Sequence, residues 1–282
     1  MYRVIKALNN NGLLVLDMET SREVIFLGNG VGFGKKPGMR LASLDGAAAY
    51  QAEPRNTGDT ALQAVNGLAP VFLEAAGRII DEAARRFGNV NRNILLALAD
   101  HIALAVERAK DKKEFSNPFS QDIQALFPEE FETARQGRQI IEQLCGQTLS
   151  EDETGFITLH IHAALSGEKV EESMKLARLV TESISMIETG LDIRLPVHSL
   201  GYSRLVSHIR YMLMRNLRNE RVTLDMEDYA RQNFPEDYAL AQEIIQKLEQ
   251  QLKNPFSKEE TGFLAIHIKR ASQLAEDETK PR

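Results

Sequence analysis

The chain has 282 residues, 43% of them hydrophobic and 26% charged, with a formal net charge of −6. That length is ample for two or three small cores, and the composition excludes a disordered or fibrous protein. A lone cysteine, Cys145, excludes a disulfide framework, and apolar runs such as "GLLVL" and "NILLALA" are too short to span a bilayer as helices. With no signal-peptide pattern in the first thirty residues, the expectation is a soluble cytoplasmic protein without membrane insertion.

The first forty residues read as β structure and carry a net charge of about +3 on an otherwise acidic chain. "YRVIKAL", "GLLVLD" and "REVIFLG" are short runs rich in Val, Ile, Leu and Phe, bounded by turn residues. Asn9-Asn10-Asn11-Gly12 between the first two predicts a hairpin whose tight turn uses the left-handed backbone that Asn and Gly tolerate. Three or four antiparallel strands form a module too small to stand alone, and dimerisation is expected.

The fifteen residues "VIFLGNGVGFGKKPG", Val24 to Gly38, hold five glycines, an aromatic ring and two adjacent lysines. A Walker loop is excluded, because asparagine stands at position 29 where its first glycine belongs and lysine at 36 where serine or threonine belongs. The dinucleotide fingerprint fails as well, since Phe33 occupies its last glycine position and Lys35-Lys36-Pro37-Gly38 cannot open a helix. No nucleotide site and no cofactor is supported. What remains is a β edge that gathers backbone N–H groups, an amide, a ring and cations, the groups that read RNA; the alternative is a tight hairpin with incidental lysines.

Residues 41–59, rich in Ala, Gly, Pro, Asn and Thr, read as a linker with room for one more strand or helical turn. Beyond it the pattern is helical, beginning with "VFLEAAGRIIDEAARRFG", where Phe72, Ala76, Ile79, Ile80 and Ala83 recur at spacings of three and four and Gly88 supplies a stop. A shift of 107 residues then superposes the sequence on itself for more than sixty positions. "HIALAVERAK" falls on "HIRYMLMRNL", "FPEEFETA" on "FPEDYALA", and "EDETGFITLHI" on "KEETGFLAIHI". The expected organisation is residues 1–58 as the β module with its linker, then two tandem all-α bundles at 64–170 and 171–282.

Four of the six histidines obey the repeat: His101 and His160 in the first copy, His208 and His267 in the second; His162 and His198 stand outside it. Each could be a hydrogen-bonded core histidine, and gene duplication copies such residues too. Zinc is disfavoured by one cysteine, no HxxxH and the opposed directions of His160 and His162 on a helix. Acid–base catalysis has Asp100 and Glu153 as candidate partners, but position 207 matches Asp100 with a serine, so no catalytic residue is assigned. Phosphorylation needs only an exposed neutral ring, and it adds nearly two negative charges at one point.

The combination resembles the BglG/SacY family of transcriptional antiterminators over nearly the whole chain. The start "VIKALNNNGLLVLD…EVIFLGNGVGFGKKPG" is similar to that family's co-antiterminator RNA-binding domain. "DHI", "FITLHI", "YSRLVSHIR" and "FLAIHI" are similar to its phosphotransferase-system regulation domains. The resemblance implies a dimeric β module that binds an RNA hairpin in a nascent leader and excludes a terminator. It implies RNA contacts at Lys6, Asn11, Gly28, Asn29, Gly30 and Phe33, with Asn29 departing from the arginine or lysine common there. It implies phosphorylation at His101, His160, His208 and His267, with the permease component EIIB and the carrier HPr as donors. The repeat ends look most like glucose-type regulators, with β-glucoside or sucrose control left open. Two other readings stand beside this one: a histidine phosphotransfer relay protein, and a DNA-binding regulator, the latter disfavoured by the lack of a helix-turn-helix pattern before residue 60.

Overall fold

The computed structural model describes residues 1–51, 61–113, 116–197 and 199–279, so part of the expected linker and His198 lie outside the described residues. The chain opens with five strands: β1 (Tyr2–Asn9), β2 (Gly12–Asp17), β3 (Glu23–Leu27), β4 (Arg40–Leu41) and β5 (Ala48–Gln51). They form one antiparallel sheet in the order β4-β1-β2-β3-β5. The extra strand allowed for in the linker is β5, which pairs with β3.

The hairpin between β1 and β2 closes with Asn9 opposite Gly12. Its turn differs from expectation: Asn10 and Asn11 keep negative φ, and the amide of Asn11 instead donates to the Asn9 side-chain oxygen at 2.8 Å. A side-chain acceptor thus closes the turn in place of left-handed backbone. A register shift between Val4 and Lys6 settles how a strand with a charge on each face fits the sheet. Val4 joins Leu13, Val15 and Phe26 on one face, while Ile5 and Leu8 turn with Leu14, Ile25 and Tyr50 to the other. Because both faces are covered, Leu13 and Leu14 of β2 are both fully buried although they point in opposite directions.

Helices follow in chain order: α1 (Ala61–Asn66), α2 (Pro70–Phe87), α3 (Leu95–Lys110), α4 (Ser120–Leu126), α5 (Pro128–Cys145), α6 (Glu151–Ser166), α7 (Val170–Leu191), α8 (Leu200–Arg218), α9 (Glu227–Asn233), α10 (Pro235–Leu252) and α11 (Lys258–Thr279). Pro70 starts α2, where its missing N–H costs nothing, and Gly88, at φ 86°, ends it as the spacing predicts. The buried residues Leu73, Ala76, Ile79, Ile80 and Ala83 lie on its inner stripe.

Two compact units result: residues 1–120 with 129–170, and 121–128 with 171–282. In the first, the sheet and the helices share one core, so the β module does not rest on its own small interior. Tyr50 is the anchor: its hydroxyl donates to the Gly77 carbonyl and to Asp81, each at 3.3 Å, and the Arg92 guanidinium lies 5.1 Å above its ring. Gly77 lets the sheet approach, for a Cβ there would fall 2.5 Å from a Leu27 methyl.

In the second unit, α4 departs from the pattern of its repeat equivalent α9, which packs on α10 and α11. Asp122 of α4, buried, accepts hydrogen bonds from the Tyr202 hydroxyl and from Thr181 Oγ1 at 2.5 Å. Arg210 donates to the Leu126 carbonyl at 3.1 Å and covers the Phe127 ring. The first repeat offers no such hydroxyls, since glutamate and leucine stand at positions 74 and 95, which match Thr181 and Tyr202. A buried carboxylate goes where its donors are.

Replacing Gly77 with valine, whose branched side chain would meet both Leu27 and the Tyr50 ring, should force the sheet off α2 and lower the stability of the first unit by about 1–3 kcal/mol, as overpacking does. Thermal unfolding followed by circular dichroism checks this, and an unchanged midpoint would refute the close approach.

Candidate nucleic-acid interface and histidine pairs

The glycine-rich segment folds back over the β1–β2 turn as a run of tight turns. The Gly28 amide donates to the Asn11 carbonyl at 2.9 Å, the Gly30 amide to Asn11 Oδ1 at 3.1 Å, and the Phe33 amide to the Gly30 carbonyl at 3.0 Å. Gly30, at φ 72°, takes the left-handed conformation that lets the loop reverse. Five of the six expected contact residues (Asn11, Gly28, Asn29, Gly30 and Phe33) are thereby gathered at one end of the sheet. Asn29 is exposed and Phe33 is 73% exposed, an unusual position for a large ring.

Lys6 is placed differently. It projects from the helix-facing side of β1, and its ammonium donates to Asn66 Oδ1 of α1 at 2.6 Å. Asn11, Gly28 and Asn29 also line an open cleft of about 430 Å³ with Glu74, Arg78 and Asp81 of α2. Sequence reasoning missed Gly32. A Cβ there would sit 2.1 Å from the Asn9 carbonyl oxygen, so this glycine, more than its neighbours, permits the loop to lie on the hairpin. The alternating glycines were a visible signal, but only the fold identifies which of them is pressed against backbone.

The repeat histidines meet in pairs within their own units. His101 on α3 and His160 on α6 have ring centroids 5.2 Å apart; His208 on α8 and His267 on α11 stack at 4.0 Å with 18° between planes. Phe156 lies 5.7 Å from His101, and Phe263 lies 6.5 Å from His208. The expectation of exposed rings needs correction. His160 is only 4% exposed and the other three are half-buried, because α6 and α11 are enclosed on most sides. His162, outside the repeat scheme, lies with Nδ1 3.1 Å from Glu130, and the matched residues Lys269 and Asp237 form the equivalent ion pair at 4.0 Å.

A glutamate–arginine pair borders each histidine pair. In the first unit Glu153 is divided: Arg108 donates to Oε1 at 2.7 Å, and His101 Nε2 lies 3.2 Å from Oε2. Burial alone would push this carboxyl up, but His101 and Arg108 outweigh it and hold it below its ordinary value. In the second unit Arg215 takes both oxygens of Glu260, at 2.7 Å each. Glu153 was among the sequence candidates, whereas Arg108, Arg215 and Glu260 were not, although all recur at the 107-residue shift. Among the described residues, no group of three or more His, Cys, Asp or Glu side chains could hold a metal ion.

This architecture, a small antiparallel sheet followed by duplicated helical units with paired histidines, is that of a modular regulator. The chain belongs to the PRD domain family: that domain matches residues 77–164 and 181–271, and the CAT RNA binding domain matches residues 2–45. The GlcA/glcB genes antiterminator of Staphylococcus carnosus is 29% identical, over 99% of this chain and 98% of its own. The β-glucoside operon antiterminator of Dickeya chrysanthemi is 27% identical, over 98% of this chain and 99% of its own. The crystal structure of GlcT CAT-PRDI aligns with 58% of this chain and 98% of its own, at 31% identity and a TM-score of 0.49.

Burial, reinforced by the nearby His267 and Arg215, pushes His208 down to about 3 from its ordinary 6.5, and burial likewise lowers His267. The unfolded chain takes up these protons near pH 6.5, whereas folded His208 resists until about pH 3. Stability from this source is therefore complete above pH 6.5 and is lost as the pH falls through that window. Between pH 7.5 and 5.5 the unfolding midpoint of the second unit should drop, and His208→Gln should flatten that slope. Calorimetry at the two pH values measures it; an equal slope in the variant would refute the assignment.

Proposed function

We propose that the chain is a transcriptional antiterminator of sugar-uptake transcripts that acts in the cytoplasm as a homodimer. Its sheet module grips an RNA hairpin in a nascent leader, and the gripped hairpin excludes an overlapping terminator. The observation that carries this reading is the folding of the Gly28–Gly34 loop onto the β1–β2 turn, which clusters an exposed ring, two amide side chains and bare backbone. Phe33 stacks on an unpaired base, the Asn29 amide and the side-chain NH2 of Asn11 address base edges where Gly28 and Gly30 leave room for close approach, and Lys35 and Lys36 supply cations for phosphates, joined by Lys6 on its release from Asn66.

The regulatory input is phosphorylation of His101, His160, His208 and His267, with EIIB and HPr as donors. The packing supports a switch rather than passive labels. A phosphoryl group lies in the plane of its ring and brings close to two negative charges beside a packed partner ring, 4.0 Å away in the second unit and 5.2 Å in the first. Such a charge at the seam of α8 with α11, or of α3 with α6, favours a rearrangement of the bundle. The same step moves the balance between monomer and dimer.

In the full chain, leader-hairpin binding should weaken as salt rises, because phosphate contacts release counterions. Phe33→Ala should reduce affinity about tenfold or more. Gel-shift titrations at two salt concentrations measure both, and salt-independent binding or an unaffected alanine variant would count against the interface. Aspartate at His101, His160, His208 or His267 should shift the sedimentation equilibrium. Unchanged sedimentation for all four would make these histidines structural.

A further inference from the structure

The two histidine pairs are copies in sequence but not in wiring. Both units keep the same buried glutamate and the same arginine, yet the carboxylate is shared differently. Glu153, 5% exposed at its side chain, gives one oxygen to Arg108 and places the other 3.2 Å from His101 Nε2, two buried atoms that face each other and form no other hydrogen bond. Glu260, 4% exposed, gives both to Arg215 and leaves none for His208. The nitrogen of His101 that faces the carboxylate, Nε2, is buried. In His160 it is Nδ1 that is buried. In His208 the buried nitrogen is again Nε2, likewise without a hydrogen-bond partner, and no carboxylate of the described residues lies within ion-pair distance of it.

This difference bears on phosphoryl transfer to imidazole. A ring attacks through the nitrogen that lacks a proton, and the opposite nitrogen keeps its hydrogen. When the donor is a phosphohistidine protein, its N–P bond breaks as the new N–P bond forms. Each ring retains its own N–H, and the positive charge of the phosphorylated ring passes from donor to acceptor. A carboxylate held against the retained N–H fixes the tautomer and offsets that charge, as the orienting acid does beside a catalytic histidine. Arg108 keeps Glu153 ionised for this purpose while leaving Oε2 to the ring. At His208 the Arg215 guanidinium instead opposes a cationic ring.

Resting on the reading of His101 as a phosphorylation site, we infer that Glu153 is a positioning residue that holds the proton on Nε2, directs the phosphoryl group to Nδ1, and makes His101 intrinsically more reactive than His208.

The test uses the full chain and potassium phosphoramidate, a small donor with no docking surface to prefer one domain. Labelled rings are located by mass spectrometry, and the phosphorylated nitrogen is assigned by phosphorus and nitrogen NMR. The unsubstituted protein should label His101 before His208, with the phosphoryl group on Nδ1. Glu153→Gln should slow labelling of His101 about tenfold or more, in the range seen when a histidine loses its orienting partner. His208 in the same molecules should label at its original rate, and Glu153→Asp should restore part of the lost rate. Attachment at Nε2, equal rates at His101 and His208, or a Glu153→Gln protein labelled at full speed would each overturn the inference while leaving His101 a phosphorylation site. The nitrogen assignment needs no variant and so survives any folding defect. If no histidine accepts phosphate, either from phosphoramidate or from a histidine-phosphorylated carrier protein, the parent reading fails and this one with it.

Discussion

Imidazole rings packed against each other inside a helical unit are the feature both repeats share, and in the second repeat their packing leaves little room for charge. At 4.0 Å and nearly parallel, His208 and His267 are in van der Waals contact. Their neutrality is enforced by burial and by nearby cations. Such a pair is stable only while both rings stay uncharged. Charging either ring works against that packing, because packed interiors do not deform gradually.

The sheet obeys a related constraint. Its middle strand is covered on both faces, so the module has little surface to spare, and the glycine-rich loop lies at one end. There the backbone must approach backbone, and glycine is the residue that permits it. Gly32 lies against the Asn9 carbonyl, and Gly77 lies against Leu27 on the helix side. Phe33 is exposed at the same end because the loop beneath it consumes its own polar groups in turns.

Duplication supplied the two units with the same parts, and a few substitutions set them to different arrangements. Asp122 found hydroxyl partners only in the second copy, so α4 joined that unit. His162 and Lys269 fill the same position with an imidazole and an ammonium beside Glu130 and Asp237. Glu153 and Glu260 differ in how one arginine grips them. None of these changes alters the helical pattern, and all alter the electrostatics around it.

Much of the architecture was legible in the sequence because it is written in local periodicity and repetition. Short β-rich runs, the helix stop at Gly88 and the 107-residue shift depend on residues near one another in the chain or on copies of them. The glycine-rich loop and the four repeat histidines were legible as residue types in register. What the sequence could not decide was every property that depends on distant neighbours. The 4% exposure of His160, the seat of α4, the tie between Lys6 and Asn66, and the sharing of Glu153 between a ring and a guanidinium all require the packed chain. Periodicity tells which face of an element is apolar; only packing decides which polar groups are trapped beneath it and with whom.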